Sequence, residues 1–278
     1  MGTTRTAAAR PSLHDQGRLE GAEKWHRREI VDAIRYIVDN GVKWRALPAD
    51  YPPFQIVYYH FARWHRAGIV AFVRDQLQRQ IRTGQGRYPW PVTLIVESQS
   101  VKGADTVSKA TRGYDAAKKS YGRKRHIAVD TLGLPMMTTV APADMTDRYA
   151  ARELLWRLRL MQPQITQAWA DSACACACAC ACACACQLIT WAGEFLKITL
   201  RTVSRPRNAK GFVALPLRWK VERTPGWIMQ ARRNARNYER LPHHSEAHLT
   251  WALSTLMTRR LTRKGMPAGW KRSPAGRA

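Results

Sequence analysis

The 278-residue chain carries 46 Lys and Arg residues against 20 Asp and Glu residues, which gives a formal net charge of +26. This excess predicts a polyanionic partner, DNA or RNA, because each Lys or Arg that neutralises a phosphate releases a condensed counterion. The chain has no apolar run that would span a membrane, no apolar signal core at its start and no cysteine outside one repeat. A membrane protein or an extracellular disulfide framework is therefore not expected, and we predict a cytoplasmic protein.

The first part of the chain reads as a flexible tail over residues 1–24 and a small helical unit over residues 25–85. In "HRREIVDAIRYIVDNG" the apolar residues Ile30, Ile34 and Ile37 keep helical spacing, and a glycine follows as a stop signal. The turn "RALPADYPP" separates this helix from two more, "FQIVYYHFARWHRAG" and "IVAFVRDQLQRQIR". Three short helices around a tight break fit a helix-turn-helix DNA-binding domain, and ordinary three-helix packing gives the same pattern.

The pattern changes over residues 86–264, which we predict to form a mixed α/β domain. The apolar run "VTLIVES" reads as a buried strand, "KRHIAVD" and "MMTTVAP" as a hairpin, and "RYAARELLWRLRLM" as an amphipathic helix. Two further strands, "QITQAWAD" and "FLKITLRTV", precede two helices within "RWKVERTPGWIMQARRNARNYERL" and "SEAHLTWALSTLMTRRLTRK". The order indicates an α/β layer fold, followed by a basic tail over residues 265–278.

Three acidic residues lie where such a fold places its functional groups. Glu97 and Asp171 end two predicted strands, and Glu222 lies near the start of a later helix. Carboxylates from separate elements converge at the carboxyl ends of strands, and three of them on a basic protein offer oxygen ligands to Mg²⁺. Two such ions would activate an attacking oxygen and stabilise the leaving oxygen in phosphodiester displacement. The alternative is that these acidic residues are solvated or ion-paired, which would give the same sequence pattern.

Basic residues form two candidate DNA-binding groups. The first precedes the second predicted strand, and the second follows Glu222 in the predicted helix. The functional interpretation is a clamp on the phosphate backbone, which gives affinity without base specificity; the alternative is a solvated loop or helix face. We assign His126 no role, and we interpret Asp130 as the residue that begins the turn before "TLG" rather than as a further metal ligand. The candidate DNA-binding residues are Lys118, Lys119, Arg123, Lys124, Arg125, Arg232, Arg233 and Arg236.

The segments "ESQSVKG", "RGYDAAKKSYGRKRHIAVDTLGLP", "WAD" and "AKGFVALPLRWKVERTPGW" resemble the DDE transposases of the insertion-sequence-five group. The likeness runs from about residue 25 to about residue 261, apart from the cysteine repeat. It implies a ribonuclease-H-like mixed sheet flanked by helices, preceded by a small helical domain. It also implies that Glu97, Asp171 and Glu222 are the catalytic residues and hold two Mg²⁺ or Mn²⁺ ions. Arg218 matches the arginine of the family's signature helix and would bind DNA.

The resemblance also implies the partners. Double-stranded DNA would be bound as the terminal inverted repeats of the element and as the target, within the bacterial nucleoid. Handling two element ends together implies a homo-oligomer. The expected reaction is metal-dependent strand cleavage followed by attack of the freed 3′-hydroxyl on target DNA, with no covalent protein–DNA intermediate.

The chain departs from the family pattern at three places. Glu97 stands where the family has aspartate, and the extra methylene moves the carboxylate by about 1.5 Å, whereas a shift of about 1 Å can cost on the order of a hundredfold in rate. Pro225 follows Glu222 by three residues and would cost about 3 kcal/mol inside a helix, although it is harmless near a helix start. The third departure is a sevenfold Ala-Cys repeat over residues 173–186.

We interpret the Ala-Cys repeat as an expanded DNA repeat within the gene. Alternate cysteines in an extended strand would form a row, whereas tetrahedral Zn²⁺ needs ligands that surround the ion. A thiol-rich metal-binding protein therefore remains a minor alternative. The departures raise a second hypothesis, a catalytically decayed transposase that binds DNA without cutting it.

Overall fold

The computed structural model describes residues 24–171, 182–203 and 218–262, and for residues 171, 182–186, 203 and 218–222 it describes the backbone alone. Within these ranges, helices pack on both faces of one mixed sheet. The strands are β1 (Thr93–Lys102), β2 (Gly113–Asp115), β3 (Ser120–Asp130), β4 (Pro135–Pro142), β5 (Gln167–Asp171) and β6 (Thr199–Val203). The helices are α1 (Arg27–Asn40), α2 (Phe54–Arg66), α3 (Ile69–Thr83), α4 (Asp147–Met161), α5 (Cys182–Leu196), α6 (Arg218–Gln230) and α7 (Pro242–Thr262).

The sheet combines an antiparallel half with a parallel half. β3 pairs antiparallel with β1 on one side and with β4 on the other, and the short β2 pairs with the first residues of β3. β5 and β6 continue the sheet from β1 in parallel. This order confirms the predicted mixed α/β sheet with flanking helices, including the hairpin formed by β3 and β4.

Both faces of the sheet are buried, because successive residues of a strand point to opposite sides. Leu94 and Val96 belong to one apolar cluster with residues of α4 and α5. Ile95 and Ile127 belong to a second cluster with Ile228 of α6 and residues of α7. We call the side covered by α6 and α7 the α6 face.

The N-terminal helices pack against the last helix rather than forming an isolated bundle. Ile34 of α1 and Phe61 of α2 share a buried cluster with Trp251 of α7. Gly41 ends α1 with φ 71°, and a Cβ at this position would lie 3.1 Å from the carbonyl carbon of Arg232. The interior is therefore continuous across the predicted boundary near residue 86, and a DNA-recognition role for residues 25–85 stays a prediction.

Two elements differ from the sequence-based expectation. β1 does not end at Glu97 but continues to Lys102, because the long β3 supplies pairing partners as far as Gly122. The helix predicted to run from Arg218 through the following arginines ends at Gln230 and gives way to a short 3-10 turn and an extended segment. The extended segment is held by the end of β1, since Asn237 N–H donates to the Lys102 carbonyl at 3.0 Å.

The repeat is only partly within the described residues. Residues 173–181 lie outside them, and Cys182–Cys186 form the first turn of α5. Residues two apart on a helix are rotated by about 200°, so alternate cysteines there do not share a face. The extended row of thiolates that the metal-binding alternative assumed is therefore not formed by this part of the repeat. None of the helices in the described ranges is long and apolar enough to cross a membrane.

Candidate functional site

The carboxyl ends of β1 and β5 bring two of the predicted catalytic positions side by side. In the parallel register Val96 of β1 is paired with Ala170 of β5, and the next residues are Glu97 and Asp171. Neighbouring strands lie about 4.8 Å apart, so the backbones at these two positions are close neighbours. The sequence separates these residues widely, and the pairing of β1 with β5 brings them together.

Both positions belong to the α6 face. Ile95 and Trp169, two residues before Glu97 and Asp171, pack against the cluster that contains Ile228 of α6. Since residues two apart in a strand share a face, positions 97 and 171 lie on this side as well. Glu97 is half-buried there. The Asp171 side chain lies outside the described residues.

Helix α6 carries the third position, and two of its residues contact different parts of this face. Arg223 Nη2 donates to the carbonyl of Leu132 at 3.3 Å. Leu132 lies in the β3–β4 turn, beside the start of β1. Elsewhere on the helix, the Met229 sulfur lies 3.7 Å from Arg125 Nη1. Arg125 is the cross-strand partner of Gln99, two residues after Glu97 in β1.

Position 222 lies in the first two turns of α6. It precedes Met229 by seven residues, which is close to two full helical turns. Arg218 precedes Glu222 by four residues and therefore lies on nearly the same side of the helix. The structure thus places positions 97 and 171 side by side at one end of the α6 face, and α6 packs on the same face. The side chains of Glu222 and Arg218 are outside the described part, so their roles stay predictions.

This arrangement offers oxygen donors to a hard divalent cation. Three carboxylates by sequence, one of them the half-buried Glu97, fit the preference of Mg²⁺ and Mn²⁺ for oxygen ligands shared with phosphate. No three His, Cys, Asp or Glu side chains come together as potential metal ligands within the described part of the chain.

Two nearby polar residues have structural roles. Asp130 is buried, accepts hydrogen bonds from the N–H groups of Leu132 and Leu134, and pairs with Arg82, which confirms its interpretation as a turn residue. His126 is also buried, and burial lowers its pKa to about 4. It is paired with Ser98, so it lies on the opposite sheet face from position 97.

The basic run before β3 separates into buried and exposed residues. Arg123 is fully buried on the α6 face, where it donates to the carbonyls of Thr111, Glu239 and Arg240 at 2.8–2.9 Å and to Asn237 Oδ1 at 3.1 Å. This guanidinium fastens the segment after α6 to the sheet. It is not presented to solvent.

Arg125 and Lys124 are also engaged within the protein. Arg125 is 2% exposed, and burial lowers its pKa to about 10. Its contacts are long: 3.7 Å to the Met229 sulfur and 3.5 Å to the Arg236 carbonyl. Lys124 lies 3.3 Å from an Asp147 carboxylate oxygen. Sequence reasoning missed these roles because β3 begins at Ser120, so the basic residues belong to a strand and not to a loop.

The remaining predicted cations divide in the same way. Arg233 is paired with Glu239 at 2.6 Å, whereas Arg232 and Arg236 are exposed. Arg240, which the sequence analysis did not single out, is exposed in the same segment. Lys118 and Lys119 are exposed in the β2–β3 turn. Of the predicted DNA-binding residues that the structure describes, those exposed to solvent are Lys118, Lys119, Arg232 and Arg236, and Arg240 lies in the same segment as the last two.

Comparison with known protein families gives two matches. Residues 91–257 match a family model described as a transposase DDE domain, and residues 7–73 match a model for transposases of the IS4/5 family. The first match covers more than half of the chain and includes all three acidic positions. It agrees with the predicted ribonuclease-H-like fold. No curated protein and no solved structure matches the chain significantly.

Proposed function

Because the chain belongs to the DDE transposases of the IS4/5 family, we propose that it cuts and joins DNA at the ends of an insertion sequence. Water attacks a phosphodiester bond at the element end, which leaves the phosphate on the flanking DNA and frees a 3′-hydroxyl. This hydroxyl attacks a phosphodiester bond of target DNA. The second step forms one new P–O bond as another breaks, so no covalent bond to the protein is needed. The observation that supports the proposal is the adjacency of positions 97 and 171 at the carboxyl ends of β1 and β5, on the face where α6 packs through Ile228.

In this proposal Glu97, Asp171 and Glu222 hold two divalent ions, Mg²⁺ or Mn²⁺, as transposases with DDE domains generally use such ions. The ions would supply charge for the attacking and leaving oxygens. The three residues belong to two adjacent parallel strands and to a helix packed against them by Ile228. Such a rigid frame keeps the reacting groups aligned, which is where much of the rate advantage of an enzyme originates.

The DNA would approach over the exposed cations near this end of the sheet. Arg236 and Arg240 lie on the segment that Asn237 and Arg123 fasten to β1 and β3. Lys118 and Lys119 lie further along, on the β2–β3 turn. We propose that these residues bind backbone phosphates, that the N-terminal helices bind the terminal inverted repeats, and that two copies of the chain act together.

A cleavage assay tests the proposal. The substrate is a duplex that contains the terminal inverted repeat found in the DNA flanking the gene, incubated with Mg²⁺ or Mn²⁺. Asp171→Ala and Glu222→Ala should each abolish cutting while salt-sensitive binding of the same duplex persists. Glu194→Ala, at an exposed acid of α5, is the matched control and should cut normally. Normal cutting by Asp171→Ala would refute the assignment.

A second candidate function, binding of DNA without cutting, is favoured by one observation. Pro225 lies inside α6, seven residues after its first residue, and not near the helix start. It lacks the N–H that would bond to the carbonyl of Val221, next to Glu222, and an interior proline costs about 3 kcal/mol. The missing hydrogen bond weakens the backbone support of the third carboxylate, and glutamate at position 97 displaces the first carboxylate by about 1.5 Å.

Two substitutions distinguish the candidates. Glu97→Asp retracts the carboxylate by about 1.5 Å, and Pro225→Ala restores the helical hydrogen bond. If the natural chain cuts DNA, it is an active transposase, and the two substitutions should raise the rate of cutting. If neither the natural chain nor the double variant cuts the duplex it binds, the chain is a DNA-binding remnant.

A further inference from the structure

The β2–β3 hairpin carries two exposed tyrosines that the proposed reaction does not use. Tyr114 of β2 and Tyr121 of β3 are directly paired across the strands, and their ring centroids lie 4.7 Å apart. They remain 43% and 65% exposed. Exposed aromatic residues also occur singly elsewhere on this chain. Here, however, two rings are held side by side and form a contiguous apolar surface beside two lysines, which is the arrangement that a ligand can use.

The position of the pair relates it to the proposed active site. Along β3, Tyr121, Arg123, Arg125 and Ile127 alternate with the other face, so Tyr121 shares the α6 face with Glu97, whose partner is Ile127. The six residues from Ile127 to Tyr121 span about 20 Å of strand. A nucleic-acid strand rises about 3.4 Å per nucleotide, so the pair lies about six nucleotides from the carboxylates.

The hairpin is held rigidly and its turn is cationic. The buried Asp115 carboxylate accepts hydrogen bonds from the N–H groups of Ala117 and Lys118 and from the Ser100 hydroxyl of β1. Lys118 and Lys119 therefore emerge from a turn of fixed shape, beside the tyrosines. A negatively charged ligand with flat apolar rings matches both features.

We propose that Tyr114 and Tyr121 form a stacking platform for unpaired bases of a DNA end, about six nucleotides from the cleavage position. Bases stack on aromatic side chains in a sequence-tolerant way, while nearby lysines neutralise the backbone. The inference rests on the proposed function for its substrate. Its binding test does not depend on cutting, because it is performed with EDTA in place of a divalent ion.

The test compares two DNA probes that share one duplex. One probe is fully paired, and the other has about six nucleotides unpaired at one end, with 2-aminopurine among them to report stacking by fluorescence quenching. The natural chain should bind the partly unpaired probe more tightly. The variant Tyr114→Leu with Tyr121→Leu keeps an apolar cross-strand contact but has no ring faces. It should lose about tenfold in affinity per stacked base, and the quenching with it, for the partly unpaired probe alone.

Control variants separate stacking from other causes. Tyr114→Phe with Tyr121→Phe keeps the rings and should bind as the natural chain does. Tyr149→Ala removes a 61% exposed tyrosine from α4, on the opposite side of the sheet, and should also have no effect. If the leucine variant does not fold, Tyr121→Leu alone decides the question, since this ring is the more exposed of the two.

Several results would overturn the proposal. The first is an equal loss of affinity for both probes, because the tyrosines would then contact paired DNA. The second is unchanged binding and quenching in the leucine variant. The third is unchanged binding combined with a lower mass in analytical ultracentrifugation, which would assign the surface to contact between copies of the chain. Loss of cutting in Asp171→Ala together with any of these results would refute the platform and leave the proposed function standing.

Discussion

The tip and the base of the β2–β3 hairpin are both basic, yet the structure gives them opposite roles. At the tip, Lys118 and Lys119 are exposed and contribute charge to the surface. At the base, Arg123 is fully buried and ties two segments to β3, one at Thr111 and the other at Glu239 and Arg240. A dense cationic run is therefore not a uniform electrostatic feature: the lysines of the turn are exposed, whereas the basic residues of the strand are engaged within the protein.

The largest expected effect comes from removing the buried charge at the base. Arg123→Met should lower the free energy of unfolding by about 3–5 kcal/mol, because the carbonyls of Thr111, Glu239 and Arg240 lose their donor inside the protein. Urea denaturation measures this loss. Arg232→Met, at an exposed arginine, is the control. A loss below about 1 kcal/mol would show that the base does not depend on this residue.

Acid titration tests the base of the hairpin through Glu239, whose backbone carbonyl accepts a hydrogen bond from Arg123. Burial alone would raise the pKa of this carboxyl, but the interactions with His248 and Arg233 lower it from 4.5 to about 2. The folded state favours the ionised form, so the stabilisation is complete above pH 4.5 and is lost as the pH falls toward 2. The loss corresponds to about 3 kcal/mol.

The measurement is the free energy of unfolding as a function of pH, in the natural chain and in Glu239→Gln. The variant should show a shallower decline between pH 4.5 and pH 2. Glu153→Gln, at an exposed carboxylate of α4, should decline as the natural chain does. Identical curves for Glu239→Gln and the natural chain would contradict the assignment.

At the tip the expected effect is on DNA binding and not on stability. Lys118→Gln with Lys119→Gln should reduce the slope of log affinity against log salt by about 1.8, if each lysine neutralises one phosphate. The free energy of unfolding should change by less than about 0.5 kcal/mol. Lys197→Gln is a close control, because Lys197 is exposed and has φ 54°, near the 49° of Lys119. An unchanged salt slope in the double variant would exclude the tip from the DNA-binding surface.

The smallest expected effect concerns the second buried arginine of β3. Arg125 has only long contacts, and its Nε has no hydrogen-bond partner among the described residues. Replacing a poorly compensated buried charge with an apolar side chain of similar volume is often neutral or stabilising. Arg125→Met should therefore change the free energy of unfolding by no more than about 1 kcal/mol. A loss as large as that of Arg123→Met would mean that burial alone decides the contribution of an arginine here.

Local patterns predicted much of the fold. The spacing of Ile30, Ile34 and Ile37 predicted α1, with Gly41 at its end, and the turn around Asp130 predicted the β3–β4 hairpin. These features depend on neighbouring residues, which the sequence displays directly. The length of β1 depends on its pairing with β3, and the extended segment after α6 is held by the contact between Lys102 and Asn237. Both involve residues that are distant in sequence, so no local pattern indicated them.

The candidate site was predicted less completely than the fold. Strand ends indicated Glu97 and Asp171, and the parallel pairing of β1 with β5 brings their positions together. The sequence did not reveal which cations are buried, because a run of lysines and arginines looks the same in a loop and in a strand. It also did not reveal the Tyr114–Tyr121 pair, since the cross-strand register that aligns the two rings is a tertiary feature.

The packing of α1 and α2 on α7 has a consequence for synthesis of the chain. The first two helices emerge from the ribosome well before Trp251, which belongs to the cluster that buries them. A product that stops before α7 would leave this apolar surface uncovered, and exposed surface of this kind favours aggregation and degradation. Incomplete translation products should therefore not accumulate as stable competitors for the DNA ends.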